Sequence, residues 1–125
     1  MVKGIGVDII EIDRIRKSIE TIGMPFLDKV FTPQEIAYCR GKQNVHQHFA
    51  ARFAAKEAVS KALSTGWAGE FRWKDVEVMN DASGQPRVTL AGKLHDRLAD
   101  DVILITLSHS ENYVVAVALI EGPSR

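Results

Sequence analysis

Three side chains of this sequence, Asp8, Glu57 and His109, combine a reactive group with an unusual setting. Asp8 lies among Ile5, Val7, Ile9 and Ile10, where a carboxylate is costly to bury unless it is paired or holds a cation. An aspartate at the end of a strand can also cap the helix that follows, and that use of Asp8 stands beside the first. Glu57 belongs to the run Arg52-Phe53-Ala54-Ala55-Lys56-Glu57-Ala58-Val59-Ser60-Lys61-Ala62, which sets Phe53, Glu57 and Lys61 on one helical stripe. Phe53 is expected to face the core and to draw Glu57 and Lys61 toward a partly buried position. The same Glu–Lys spacing also occurs as surface decoration worth ~0.2–0.5 kcal/mol. His109 follows a strongly apolar run, and solvent exposure alone accounts for a histidine in such a turn. In combination these groups are more specific. Two hard oxygen ligands far apart in sequence, with bases nearby, fit Mg²⁺ holding a pyrophosphate, because magnesium takes one or two carboxylates and completes its octahedron with phosphates and water. Phosphoryl transfer asks mainly for positioning and charge neutralisation.

Other chemistries lack their residues. Gly4-Ile5-Gly6 has Ile9 where a dinucleotide loop needs its third glycine. No Walker lysine loop, paired-histidine zinc helix, cysteine metal cluster or Gly-x-Ser-x-Gly elbow occurs in the sequence.

The elements that must position these groups follow from periodicity. Residues 2–9 alternate loosely and carry Val and Ile, which predicts a strand ending near Asp8. From Glu11 onward, Ile12, Ile15, Ile19 and Ile22 recur at helical spacing, with Gly23 as the expected C-cap. Residues 24–31 read as irregular or a short helical turn. Thr32-Pro33-Gln34-Glu35 is a capping box with proline at the first helical position, opening a short helix that stops near Gly41. An alanine-rich helix over residues 46–65, closed by Gly66, would be about 30 Å long and form the spine of the core. Strands over 73–79 and 87–90 flank the turn signal Asn80-Asp81-Ala82-Ser83-Gly84. A short helix over 91–101 precedes apolar strands over 102–107 and 113–120, joined through Ser108-His109-Ser110-Glu111-Asn112. The expected class is α+β, with a mainly antiparallel sheet packed on a long central helix.

Composition bounds the partners. The 125 residues carry 16 basic and 16 acidic side chains and 46% hydrophobic residues, which fits one soluble globular domain over 1–125. One cysteine, Cys39, cannot form a disulfide within the chain, and Lys3, Asp8 and Glu11 interrupt any secretory signal, so a cytoplasmic location is expected. Ser108, His109, Glu111 and Asn112 break the most apolar stretch and exclude a membrane span there. The neutral sum hides a basic stretch. Within 36–62, Arg40, Lys42, Arg52, Lys56 and Lys61 face only Glu57, with His46 and His48 in addition. A local basic stretch in a neutral protein suits a small anionic ligand better than a nucleic acid, with a solvated helix face as the alternative.

Two segments resemble a known family. Gly6-Val7-Asp8-Ile9 with Glu11, Arg14 and Ile15 is similar to the N-terminal motif of holo-[acyl-carrier-protein] synthases, and residues 53–62 resemble their second motif, an aromatic followed by Lys-Glu-Ala and then Lys. Ser108-His109 and the turn Gly84-Gln85-Pro86 resemble further family features, so the likeness spans nearly the whole chain. Two positions depart from it. Phe53 stands where larger relatives often carry Trp, and Ser110 where some members have Asp, so no base role is expected at Ser110.

The resemblance implies a 4′-phosphopantetheinyl transferase. Such enzymes move the phosphopantetheine arm of coenzyme A onto a serine of apo-acyl carrier protein in fatty acid biosynthesis, releasing adenosine 3′,5′-bisphosphate. Carried over by position, Asp8 and Glu57 would bind Mg²⁺. Glu57, directly or through a metal-bound water, would help deprotonate the serine, and Lys61 would neutralise the phosphate. Lys42, Arg52, Ser108 and His109 would meet coenzyme A, with the Gly84–Pro86 turn near the adenine. Arg14 and Lys17 would meet the acidic carrier protein in a salt-sensitive docking step. The length matches the small class of the superfamily, which implies a homotrimer with a site at each subunit interface. Without metal chemistry, the basic helix would instead serve a non-catalytic coenzyme A or nucleotide-binding module; a Mg²⁺-dependent phosphatase is a third reading.

Overall fold

The computed structural model describes residues 1–63 and 71–123. A ten-residue strand β1 (Val2–Glu11) is followed by helices α1 (Ile12–Thr21), α2 (Met24–Val30), α3 (Pro33–Arg40) and the long α4 (Val45–Leu63). A 3₁₀ turn (Trp73–Asp75), strands β2 (Val76–Asn80) and β3 (Pro86–Leu90), helix α5 (Gly92–Arg97), and strands β4 (Val102–His109) and β5 (Tyr113–Glu121) complete the order. All strand pairs are antiparallel, in a three-stranded sheet ordered β1-β5-β4 and a β2–β3 hairpin.

The core lies between α4 and the three-stranded sheet. Ala54, Ala55, Ala58 and Ala62 of α4 are buried against Val114, Ala116, Ala118 and Ile120 of β5. Small residues on both sides let helix and sheet approach closely. A Cβ on Gly4 would lie 2.1 Å from the Ala62 carbonyl oxygen, and one on Gly6 would lie 2.1 Å from that of Ala58. Beyond those glycines on the same strand face comes Asp8, so the contact that brings α4 onto β1 also delivers the carboxylate to the helix.

Several elements differ from the sequence expectations. The first strand runs through Asp8 to Glu11, because Asp8, Ile9 and Ile10 keep their pairing with Ala116, Val115 and Val114. Ile22 caps α1, and Gly23, one residue beyond with φ 76°, joins that helix to α2, which is a regular helix. The Thr32–Glu35 capping box forms as expected. Residues 73–75 make a 3₁₀ turn where a strand was expected, because Lys56 Nζ donates to the carbonyls of Trp73 (2.9 Å) and Val76 (2.6 Å) and bends the chain around its ammonium. The helix expected over 91–101 is confined to Gly92–Arg97. The expected end of α4 at Thr65 and its Gly66 cap lie outside the described residues. Among the described residues no helix is long and apolar enough to cross a membrane.

Candidate active site

Asp8, Glu57 and Lys61 converge at the β1 edge of the sheet. Asp8 is mid-strand and its side chain is only 13% exposed. Glu11, not Asp8, occupies the N-cap of α1, and no side chain caps that helix, so the capping use of Asp8 is excluded. Lys61 Nζ donates to Asp8 Oδ1 and to the Val7 carbonyl, both at 3.2 Å. Its side chain is more exposed than the stripe with Phe53 implied, because it reaches along the surface to β1 rather than into the core. Phe53 itself is half-buried and stacks on Trp73 at 5.1 Å.

Glu57 is half-buried beside this pair. Burial pushes its carboxyl above the usual range and the Asp8 charge adds to the shift, while Lys61 and Arg14 oppose it. Two carboxylates sharing a site resist simultaneous ionisation. A cation between them would relieve both penalties. Both donors are oxygens, so the pair fits a hard divalent ion such as Mg²⁺, which takes one or two carboxylates and completes its octahedron with phosphate and water. Arg14 and Lys17 flank a groove of about 560 Å³ along α1 next to this edge, and Lys17 also pairs with Asp13 at 3.3 Å.

The remaining candidates gather at the opposite edge. Arg52, Gly84, Pro86, Ser108 and His109 line one cavity of about 330 Å³, joined by Gln47, His48 and Asn80. Arg52 is 2% exposed; its guanidinium donates to Asn80 Oδ1 at 2.9 Å and lies 4.2 Å from the Tyr38 ring centroid. Its buried Nε has no hydrogen-bond partner among the described residues. A guanidinium so placed, with an unmet N–H, has the chemistry to receive an anion. Lys42 Nζ sits 4.6 Å from the same tyrosine ring. Asn80 also donates to the Gly84 carbonyl at 2.9 Å, which ties the β2–β3 turn to the arginine. His109 is the last residue of β4 rather than a turn residue.

The basic stretch over 36–62 is therefore not one patch. Lys56 is fully buried and pairs with buried Glu35 at 2.8 Å, Lys61 goes to Asp8, and Arg40 donates to the Met24 sulfur. Helical spacing separates the survivors: Arg52 and Glu57, five residues apart, point about 140° from one another around α4. Asn80, which lines the cavity, and Tyr38, whose ring lies against Arg52, are not singled out by the spacing of charges. His48, named above within the basic stretch, lies one helical turn before Arg52. Cys39 is buried, and burial pushes its thiol up to about 12, so it supplies no thiolate.

Comparison with known proteins places the chain in a family. Residues 4–118 match the model of the 4′-phosphopantetheinyl transferase superfamily. The holo-[acyl-carrier-protein] synthase of Chlamydia trachomatis is 50% identical over 118 residues, covering 94% of this chain and 98% of the relative. A crystal structure of the Bacillus anthracis synthase in complex with coenzyme A (3′,5′-ADP) superposes with a TM-score of 0.82 at 34% identity, covering 98% of this chain and 99% of the other. The Neisseria meningitidis synthase superposes with a TM-score of 0.86 at 29% identity over 97% of this chain and 99% of the other. The chain belongs to the 4′-phosphopantetheinyl transferase superfamily and, within it, to the holo-[acyl-carrier-protein] synthase family.

Proposed function

We propose that this protein transfers the 4′-phosphopantetheine group of coenzyme A to a serine of apo-acyl carrier protein, in the cytoplasm and in the service of fatty acid biosynthesis. The observation that carries the proposal is the meeting of Asp8, Glu57 and Lys61 at one sheet edge, with an anion-receiving cavity around Arg52 and His109 at the other. Arg52, Lys42 and His109 hold the phosphates of the adenosine end, Ser108 borders them, and the Gly84–Pro86 turn bounds the base. Asp8 and Glu57 would hold Mg²⁺, which supplies charge neutralisation to the pyrophosphate when bound. The serine oxygen attacks the phosphorus that carries pantetheine, and the bond from that phosphorus to the adenosine-bearing phosphate breaks. Glu57 accepts the serine proton. In the metal-free chain, burial and the Asp8 charge both disfavour its ionised form. Lys61 neutralises the phosphate oxygens at the break. Arg14 and Lys17 line the groove beside this edge, where an acidic carrier protein would dock.

The two halves of the site do not meet in one chain. Strands β1 and β4 flank β5, and α4, which carries both Arg52 and Glu57, packs over β1 and β5. A second copy can close the gap. The sheet face away from α4 exposes Ile5, Val7, Ile9, Val102 and Leu104, each at least 50% accessible, around half-buried Val115, Val117 and Leu119. Such a continuous apolar face is a protein interface. We assign it to copies of this chain, arranged as a homotrimer in which the carboxylates of one subunit face the anion cavity of the next.

The test is a mass measurement. The protein, apo-acyl carrier protein, coenzyme A and Mg²⁺ are mixed, and the carrier is expected to gain one phosphopantetheine. Folded protein that binds coenzyme A regardless of Mg²⁺ and leaves the carrier mass unchanged is a binding module instead. Release of inorganic phosphate from the nucleotide without carrier modification identifies a phosphatase.

A further inference from the structure

Among the ionisable side chains lining the anion cavity, His48 has no part in the function proposed above. It sits one helical turn before Arg52 on α4, half-buried, with its ring edge-on to Tyr38 at 5.8 Å and 77°. Its surroundings are of one sign. Arg52 faces it from the same helix, Lys42 from the segment before that helix, and His109 from β4, while Tyr38 of α3 contributes a neutral ring. No carboxylate lines the cavity among the described residues.

Burial first, then the charges of Arg52, Lys42 and His109, push the His48 imidazole below its ordinary value and favour its neutral form in the free protein. A phosphate monoester, with its second pKa near ~6, enters the same cavity as a dianion. It offsets the positive charge that faces the imidazole, and the added proton gives the ring a second N–H donor.

We propose that His48 takes up a proton from solvent when a phosphate monoester enters the cavity, so that nucleotide binding is linked to proton uptake. The inference rests on reading this cavity as the site for the adenosine phosphates. The balance is simple: one proton moves from buffer to an imidazole nitrogen on binding and returns on release, and no other bond changes. As pH falls from ~8.5 to ~6.5, affinity for the nucleotide product rises, by up to about tenfold for each unit by which the bound phosphate raises the imidazole pKa. Release of the bisphosphate product is correspondingly slower at the acid end.

Calorimetry with adenosine 3′,5′-bisphosphate tests this on the intact protein. Near neutral pH, the binding enthalpy is expected to depend on the ionisation enthalpy of the buffer, with net proton uptake. His48→Gln removes the titrating group, and His48→Phe removes it while keeping a ring against Tyr38. Both variants are expected to bind the nucleotide with less proton uptake and a flatter pH dependence. Equal uptake in the wild type and either folded variant overturns the proposal, because His109 or the phosphate itself then accounts for it. Histidine NMR on the wild type needs no variant: the His48 titration must move to higher pH when the nucleotide is added, and an unmoved titration overturns the proposal. A carrier protein that is modified normally while uptake is independent of His48 defeats this inference alone. His48-dependent uptake without carrier modification supports it and defeats the transferase reading.

Discussion

Glu57 is held against ionisation by burial and again by Asp8, while Lys61 and Arg14 pull the other way. Because its folded pKa is raised, ionising this group costs folding energy as pH rises from the usual carboxylate range through the raised value. The proposed transfer needs it ionised, so turnover is expected to fall on the acid side as Glu57 gains its proton. A bound cation favours the ionised form, and the acid limb should therefore move to lower pH as Mg²⁺ concentration is raised. Initial rates against pH at two Mg²⁺ concentrations measure the shift; a limb that ignores the metal contradicts the assignment. Asp8→Asn removes both a ligand and the like charge. It should lower turnover by at least ~10²-fold. Its thermal midpoint should scarcely move, since the partly exposed pair with Lys61 is worth about 0–1 kcal/mol. Unfolding of that variant would return Asp8 to a structural role.

At the scale of elements, what is local in the chain is what the sequence makes legible. The α3 capping box forms as written because its four residues satisfy one another. The α4 spine is plain from its alanines. The turn at 73–75 is not, because its cause is Lys56, 17 residues away, whose ammonium collects the Trp73 carbonyl. The buried Glu35–Lys56 pair was equally hidden. Glu35 reads locally as the capping-box acid, yet its second oxygen accepts the Val78 amide at 2.8 Å, and Lys56 reads as a surface cation. Together they tie α3, α4 and β2, the strand that carries Asn80 toward Arg52. Lys56→Met strands a buried carboxylate and should cost about 3–5 kcal/mol in chemical denaturation, whereas Glu35→Gln with Lys56→Met should recover part of that loss. Gly6→Ala makes a different demand. Its new Cβ meets backbone, the Ala58 oxygen at 2.1 Å and the Ala62 nitrogen at 2.7 Å, so α4 must leave β1. A loss of about 3 kcal/mol or more in thermal unfolding is expected, together with lost turnover as Asp8 and Glu57 part.

At the scale of the molecule, the motifs name candidate residues but not their arrangement. Linear spacing puts Arg52 and Glu57 in one motif, and only the helix and the strand order show them facing opposite ways. An assembly that reunites them has a consequence that a self-contained site lacks. Asp8→Ala leaves the anion cavity of its own subunit intact, and His109→Ala leaves its own carboxylates intact. Each pure variant is inactive or nearly so. When the two are unfolded together in equal amounts and refolded, a subunit carrying intact carboxylates can face one carrying an intact cavity. Random mixing around a closed ring restores about a quarter of the interfaces to the wild-type pairing. Recovery of that order, read as carrier-protein modification, is expected from the mixture and from neither variant refolded alone. Val7→Lys on the apolar sheet face supplies the complement, since it should give folded single chains by light scattering, with transfer activity lost although Asp8, Glu57, Arg52 and His109 are all present. Full activity from such single chains would show that one copy closes the site by itself.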